Sequence, residues 1–432
     1  MSDYEAIVVG AGCAGTVAAY ELAKAGKSVL LVERGNFAGA KNMSGGRIYV
    51  HSLRKVFPEE ILNECPFERR ITHERISLMA PDSNFTIDFS SEEMKKEGRE
   101  SYSVLRSVFD QWLAEQAEGA GADCIFGIPI ESLLKDETGK VIGVVAGEDE
   151  ITADVVILAD GVNSLLAKEA VGAKRPIASQ VAVGVKEVFA LPEDTITNRV
   201  LADSSDDGAA WLFVGDATHG TFGGGFMYTN RESISLGIVA GIEATATKGK
   251  ASVTKMLADM KSHPGVAPLI KDAHLVEHSG HMVHEGGLQS MPEFVGDGVL
   301  IAGDAAMMCI NLGYMVRGMD YAVASGQMAA QASIRAIDRE DTSKKGLEHY
   351  RELLESSFVM QDLRQFSNVP QFMAGFDRMF GVYPEMIRDI MNSLFVIDGA
   401  PVRPMKKTLR PIVKGVGTMN IARDGLGALK AL

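Results

Sequence analysis

Two clusters of glycine and carboxylate carry the chemistry legible in this chain. The first is Gly10-Ala11-Gly12-Cys13-Ala14-Gly15, with Glu33 and Arg34 further on. Glycines at this spacing let a turn tighten and let backbone approach a pyrophosphate, whose charge the N-terminus of a following helix attracts. An acid about twenty residues later accepts a ribose hydroxyl, so a dinucleotide is the expected ligand. The second cluster is Gly303-Asp304, at the end of the apolar run 299–302. A carboxylate at the C-terminal edge of a strand can bond the ribityl chain that a flavin has and NAD lacks. FAD is therefore favoured over NAD.

The elements that must position these groups follow from the flanking pattern. Residues 6–9 read as a strand, 14 to about 25 as a small-residue helix stopped by Gly26, and 28–32 as the strand that delivers Glu33. The stretch Gly39-Ala40-Lys41-Asn42-Met43-Ser44-Gly45-Gly46-Arg47 is too rich in glycine for regular structure. It is expected to lie along the cofactor, with donors of Lys41 and Asn42 within reach of ring nitrogens. Ser107 and Asp110 read as a capping box, which puts Arg106 just before a helix. Residues 154–160 form a short apolar strand ending in Asp160-Gly161, and Ile130 is grouped with these cofactor contacts. Asn311-Leu312-Gly313-Tyr314-Met315 is expected to open a helix running from about 313 to 337, with its positive dipole end at the flavin ring.

The predicted fold class is α/β, α+β overall. A Rossmann-like FAD-binding domain with a parallel sheet is drawn from residues 1–75, 100–165 and 296–340. It is interrupted by a mainly antiparallel substrate-side domain, 76–99 and 166–295, and followed by a helical and irregular region, 341–432. At 432 residues and 46% hydrophobic the chain can bury a large core.

The formal charge of −14 argues against a nucleic-acid partner. Cys13, Cys65, Cys124 and Cys309 lie far apart, so no thiolate cluster pattern exists and no metal site is assigned. His274, His278, His281 and His284 read as surface rather than ligands. Cys13 reads as a small residue tolerated in the phosphate turn, Cys309 as a buried inert thiol, and Trp112 and Trp211 as core. Tyr228 is the better candidate for a substrate entrance. The chain enters its first strand within a few residues, and no apolar run approaches a membrane span. The expectation is a cytoplasmic protein, soluble or peripheral on the cytoplasmic face of the inner membrane. Arg403, Lys406, Lys407, Arg410 and Lys414 form a basic run without an acid behind a stretch rich in Met, Phe and Leu, either a solvated tail or a surface for lipid or an acidic partner.

At this point the sequence resembles the FixC type of electron-transfer-flavoprotein:quinone oxidoreductase, within a group that includes geranylgeranyl reductases and aromatic hydroxylases. The narrower signals are Gly39-Ala40-Lys41-Asn42 with Gly45-Gly46-Arg47, then Gly184-Val185-Lys186-Glu187, then Gly223-Gly224-Gly225-Phe226 with Tyr228-Thr229-Asn230. Asn311-Leu312-Gly313 with Arg317-Gly318-Met319-Asp320 completes them. The resemblance implies an FAD enzyme taking electrons from the alpha and beta subunits of an electron transfer flavoprotein. It implies delivery to a membrane quinone, or coupling to ferredoxin reduction. Cys309 is the last cysteine, a departure from relatives with a C-terminal four-cysteine iron–sulfur domain, and the resemblance to the FixC type implies a cluster on a separate small ferredoxin-like subunit. No second GxGxxG unit is present for NAD(P)H, and Gly415-Val416-Gly417 lacks the third glycine. No catalytic acid–base pair is assigned, since the cofactor carries the chemistry. A prenyl-lipid reductase and a scaffold bearing a structural FAD are the competing readings.

Overall fold

The computed structural model describes residues 2–43, 45–249 and 251–432. Its first sheet runs in the order Val295–Gly296, Val299–Ile301, Asp149–Leu158, Tyr4–Val9, Val29–Glu33, Asp123–Phe126. The pairings of Tyr4–Val9 with its two neighbours are parallel, with Ala6 opposite Val29 and Val155. Such strands are covered on both faces and so read as continuous apolar runs rather than alternating ones. Residues 6–9 and 29–32 are buried without a break.

The Cys13–Lys24 helix lies against this sheet, and the long Met319–Asp338 helix lies against it in turn. Small residues make that contact possible. A Cβ on Gly326 would stand 2.1 Å from the Ala14 carbonyl oxygen. Arg106–Gly119 flanks the same helix and buries Trp112.

The second sheet has nine strands, ordered His274–His284, Val181–Ala190, Ser233–Gly241, Gly223–Thr229, Asp207–Gly215, Arg70–Ala80, Ser101–Val104, Gly46–Tyr49, with Ser83–Ser90 paired to Arg70–Ala80. All pairings are antiparallel except that of Asp207–Gly215 with Arg70–Ala80. The sheet therefore recruits Gly46–Tyr49 and Ser101–Val104 from outside 76–99 and 166–295. Gly46 pairs with Val104, so the glycine stretch expected to be irregular throughout turns into a strand at Gly46. Val253–Ser262, capped by Ser252, covers a core that includes Trp211 and Phe213. Arg69 is fully buried here and satisfied by Thr197 and by the carbonyls of Glu193, Asp207, Asn230 and Arg231.

Three expectations need correction. Asn311 to Met315 do not begin the long helix. Ile310–Asn311 pairs with Val316–Arg317 as a small hairpin, whose turn is set by Gly313 at φ +81° and by its N–H donating to Asn311 Oδ1 at 2.9 Å. The helix starts at Met319, with Gly318 as N-cap. Ser107 is no cap either: the helix begins at Arg106 with Leu105 at the cap, because Asp110 is taken by Arg106. The C-terminal region is helical beyond the expected irregular tail. After residues 396–404 come Met405–Val416 and Thr418–Ala431, separated by Gly417 at φ +91°. Asp424 ties the last helix to Arg378 and Tyr383. Among the described residues no helix is long and apolar enough to cross a membrane.

Candidate FAD-binding site

The three glycines of the turn have three different reasons to be glycine. Gly10 sits at φ +103°, and a Cβ there would lie 2.3 Å from the Ala159 carbonyl oxygen. A Cβ on Gly15 would lie 1.8 Å from the Gly10 carbonyl oxygen, so this glycine lets the helix close on the strand. Gly12 has ordinary φ and nothing closer than 3.8 Å. Its missing side chain leaves room in front of the helix N-terminus rather than relieving a clash. That is the division of labour expected of a pyrophosphate-binding turn.

Cys13 begins the helix, and burial pushes its thiol up to about 12, which makes it inert as a nucleophile. Ala14 packs on Gly303, whose own Cβ would stand 3.0 Å from the Ala14 Cβ. The two distant signatures thus meet at these residues. Beside them Arg106 forms a two-point pair with the fully buried Asp110, and Asn42 Nδ2 donates to the same carboxylate at 2.5 Å. That bond uses one of the two N–H donors of the Asn42 amide and fixes its orientation at the cavity wall.

Glu33 ends its strand with Oε2 accepting from Ala11 N–H at 2.9 Å and Oε1 from Gly35 N–H at 2.7 Å. These bonds aim the carboxylate across the mouth of the turn. The Ile128 N–H donates to the Glu33 carbonyl oxygen at 3.1 Å, which brings Ile130 to the same side as Glu33 and Arg34.

A continuous cavity of about 1120 Å³ runs from this turn across the second sheet to the C-terminal helices. Ligand pockets commonly span roughly 300–1,000 Å³, so it has room for a dinucleotide and a further molecule. Gly10, Gly12, Cys13, Ala14, Glu33, Arg34, Lys41, Asn42, Gly45, Gly46, Arg106, Ile130, Asp160, Gly161, Gly303, Asp304, Gly313 and Tyr314 all line it. Gly15 and Met315 do not. Gly15 acts behind the turn, and Met315 packs on the core, its carbonyl accepting from Leu312.

The cavity carboxyls are out of the ordinary. Burial pushes Asp160 up to about 6, and its Oδ1 has no partner. Burial also raises Asp304, opposed by the positive charges of Arg106 and His281. A buried acceptor without a donor is costly, so a ligand bringing a hydroxyl or N–H donor to Asp160 Oδ1 fits this wall better than an apolar one. Glu285 and the aromatic and Met residues Phe372, Met373 and Phe376 also line the cavity. Sequence reasoning missed them as site residues, because Glu285 belongs to no motif and the C-terminal residues read as core or partner surface. Cys309 lines it too, donating to the His284 carbonyl oxygen at 3.2 Å, its thiol raised well above the usual range by burial. Tyr228 is a lining residue, as expected of an entrance candidate.

Comparison with known proteins fixes the relationship. The FAD binding domain family matches residues 3–350, and the C-terminal domain of the ETF-QO/FixC family matches residues 369–432. Protein FixC of Salmonella typhi is 48% identical over 429 residues, covering 99% of each chain. The chain belongs to the ETF-QO/FixC family. A probable electron transfer flavoprotein-quinone oxidoreductase of Escherichia coli, YdiS, is 47% identical across all of both chains. The fold is shared with a geranylgeranyl bacteriochlorophyll reductase-like protein from Thermoplasma acidophilum, at TM-score 0.67 and 20% identity over 96% of this chain and 99% of the other. The family's cofactor is FAD, and this chain is an FAD-dependent oxidoreductase. The residues matching the family's C-terminal domain include Phe372, Met373, Phe376 and Leu432, which form one end of the cavity.

Proposed function

We propose that this chain relays electrons from an electron transfer flavoprotein, through FAD, to a membrane quinone. When bound, FAD supplies the chemistry by accepting an electron pair and passing it on. Gly10, Gly12 and the start of the Cys13–Lys24 helix would hold the pyrophosphate, Glu33 the ribose and Asp304 the ribityl chain. Lys41, Gly45 and Gly46 would face the ring. The observation that carries this reading is the single cavity joining the dinucleotide turn to an apolar end built by the C-terminal domain.

The outer surface of that domain supports the quinone half of the reading. Phe395, Val402, Met419 and Leu429 are each more than three-quarters exposed. The Met405–Val416 helix has no buried residue and carries Lys406, Lys407, Arg410 and Lys414. Exposed apolar side chains interleaved with basic ones suit the surface of an anionic bilayer. In our reading the protein sits peripherally on the cytoplasmic face of the inner membrane, and this surface supports that. Among the described residues no three His, Cys, Asp or Glu side chains are grouped to hold a metal, so a cluster-bearing ferredoxin-like subunit would be a separate chain.

The test is anaerobic reduction of the FAD-loaded chain by a reduced electron transfer flavoprotein, with and without a ferredoxin-like subunit, followed by ubiquinone or menaquinone analogues. Bleaching that needs the partner and reverses with quinone is the expected result. A flavin that no partner reduces, or activity on a prenyl lipid with no flavoprotein present, would overturn it.

A further inference from the structure

Reduction of a quinone consumes protons as well as electrons, and among the carboxyls that line the large cavity Glu285 is the one placed to supply a proton. Glu285 lies one residue past the His274–His284 strand, its N–H donating to the Gln180 carbonyl oxygen at 2.7 Å. Its side chain lines the large cavity and also a small adjoining one of about 20 Å³. A single water needs roughly 10–15 Å³ by this measure, so the small cavity accommodates one. His284 and Asn311 share that small cavity with it.

The geometry around Glu285 is fixed from outside. Gly313 N–H donates to Asn311 Oδ1 at 2.9 Å, which determines the way the Asn311 amide faces. Its Nδ2 is then presented to Glu285, 3.2 Å from each carboxyl oxygen. One neutral donor holds the carboxyl in place without forcing it to ionise.

Among the described residues no cation offsets its burial. His284 is neutral, since burial pushes it down to about 4, and its Nε2 is engaged by Ser290 Oγ at 2.7 Å. Cys309 stays protonated through burial and the carboxylates Asp304 and Glu285 near it. From the helical side the neighbouring residues of the small cavity are Leu363, Phe366, Val369 and Met373, all apolar. Burial pushes Glu285 up to about 7, opposed by the Asn311 hydrogen bond. Such a group can both give and regain a proton at neutral pH.

We propose that Glu285 is the proton donor to the quinone reduced in this cavity, an inference that rests on the electron-relay reading above. A reduced flavin bound here would supply two electrons and the proton of its ring N–H, which forms an O–H bond on one quinone oxygen. The Glu285 O–H bond breaks as an O–H bond forms on the other quinone oxygen. The carboxylate then regains a proton from solvent, relayed through water in the small cavity. The quinone becomes a quinol, and Glu285 ends as it began.

The test uses the FAD-loaded chain and its Glu285→Gln and Glu285→Asp variants, reduced with dithionite. Each is reoxidised in a stopped-flow instrument by a short-chain ubiquinone analogue and, separately, by ferricenium, which takes one electron and no proton. For the native chain the quinone rate is expected to fall as pH rises through 7 while the ferricenium rate does not. Glu285→Gln should lower the ratio of quinone to ferricenium rates roughly 100-fold and abolish its pH dependence, with Glu285→Asp in between. Infrared titration of the native chain should show a protonated carboxyl band lost near pH 7 and shifted in Glu285→Asp. An unchanged ratio in both variants, or no such band, would overturn the assignment. If the native chain is reoxidised by ferricenium and by no quinone, the relay reading itself fails, and this inference with it.

Discussion

Arg106 and Asp110 form a buried ion pair one helical turn apart, with Nε–Oδ1 and Nη2–Oδ2 both at 2.8 Å, and the guanidinium stands next to the open side of Gly12. The pair holds a positive charge at the pyrophosphate turn while leaving the carboxylate no other role. Arg106→Ala would leave Asp110, which has no exposure, without its cation and with only the neutral Asn42 amide and Cys13 thiol beside it. Breaking a buried pair costs about 3–5 kcal/mol. Urea denaturation should show a loss of that order, accompanied by a drop in FAD content. Arg106→Lys should rescue only part of it, since one ammonium cannot make the two-point contact.

Glycines of the same motif should fail in different ways. Gly15→Ala drives a methyl into the Gly10 carbonyl and should destabilise the chain by about 1–3 kcal/mol or prevent folding. Gly12→Ala meets nothing within 3.8 Å of protein and should cost less than about 1 kcal/mol. Its FAD content should nevertheless collapse, because the methyl would occupy the space in front of the helix. Melting curves and flavin absorbance on the same two preparations separate the effects. Normal flavin loading in Gly12→Ala would refute the assignment of the pyrophosphate to this turn.

Lys186 gives a pH signature with a definite sign. Its side chain is completely buried with Nζ donating to the Gly45 carbonyl oxygen at 2.6 Å, and burial pushes it down to about 7. Between pH 7 and the ordinary lysine value near 10.5 the unfolded chain holds a proton that the folded chain has released. Stability should therefore rise with pH across that window, by at most about 1.4 kcal/mol per unit. Lys186→Met should remove this slope. Denaturation midpoints of both proteins at a series of pH values would show it, and parallel profiles would refute it.

Lipid binding should follow the charge of the Met405–Val416 helix. The native chain is expected to sediment with anionic vesicles and not with neutral ones, and to be released by salt. Each basic side chain near such a surface contributes about 1 kcal/mol, so replacing Lys406, Lys407 and Arg410 by Glu should weaken binding at least about 100-fold. The helix has no buried residue, so the fold should survive. Equal sedimentation of the variant would assign the surface to another role.

The glycine turn at residues 10–15 was legible because its glycines answer to local rules: a positive φ, a close helix approach and an open space are each written in one residue. The same holds for Asp160-Gly161 and Gly303-Asp304, which follow apolar runs of strand length. The errors came where a distant partner outcompeted a local preference. Ser107 and Asp110 have capping-box spacing, yet Asp110 gains more from Arg106 and Asn42 in a buried site. Asn311 to Met315 lie next to a strong helix, yet Asn311 closes a hairpin turn onto Gly313.

By itself the sequence determined that a parallel sheet would carry a glycine-rich turn, that an antiparallel insertion would follow, and that the chain resembles the FixC type. These are matters of short-range backbone geometry and of which face of each element is apolar. Only the tertiary structure decided that Gly303 meets Ala14, that Asn42 donates to Asp110, and that Glu285 stands between two cavities opposite the C-terminal helices. Such contacts join residues far apart in the chain, and the burial that shifts their proton affinities exists only once the layers have closed around them.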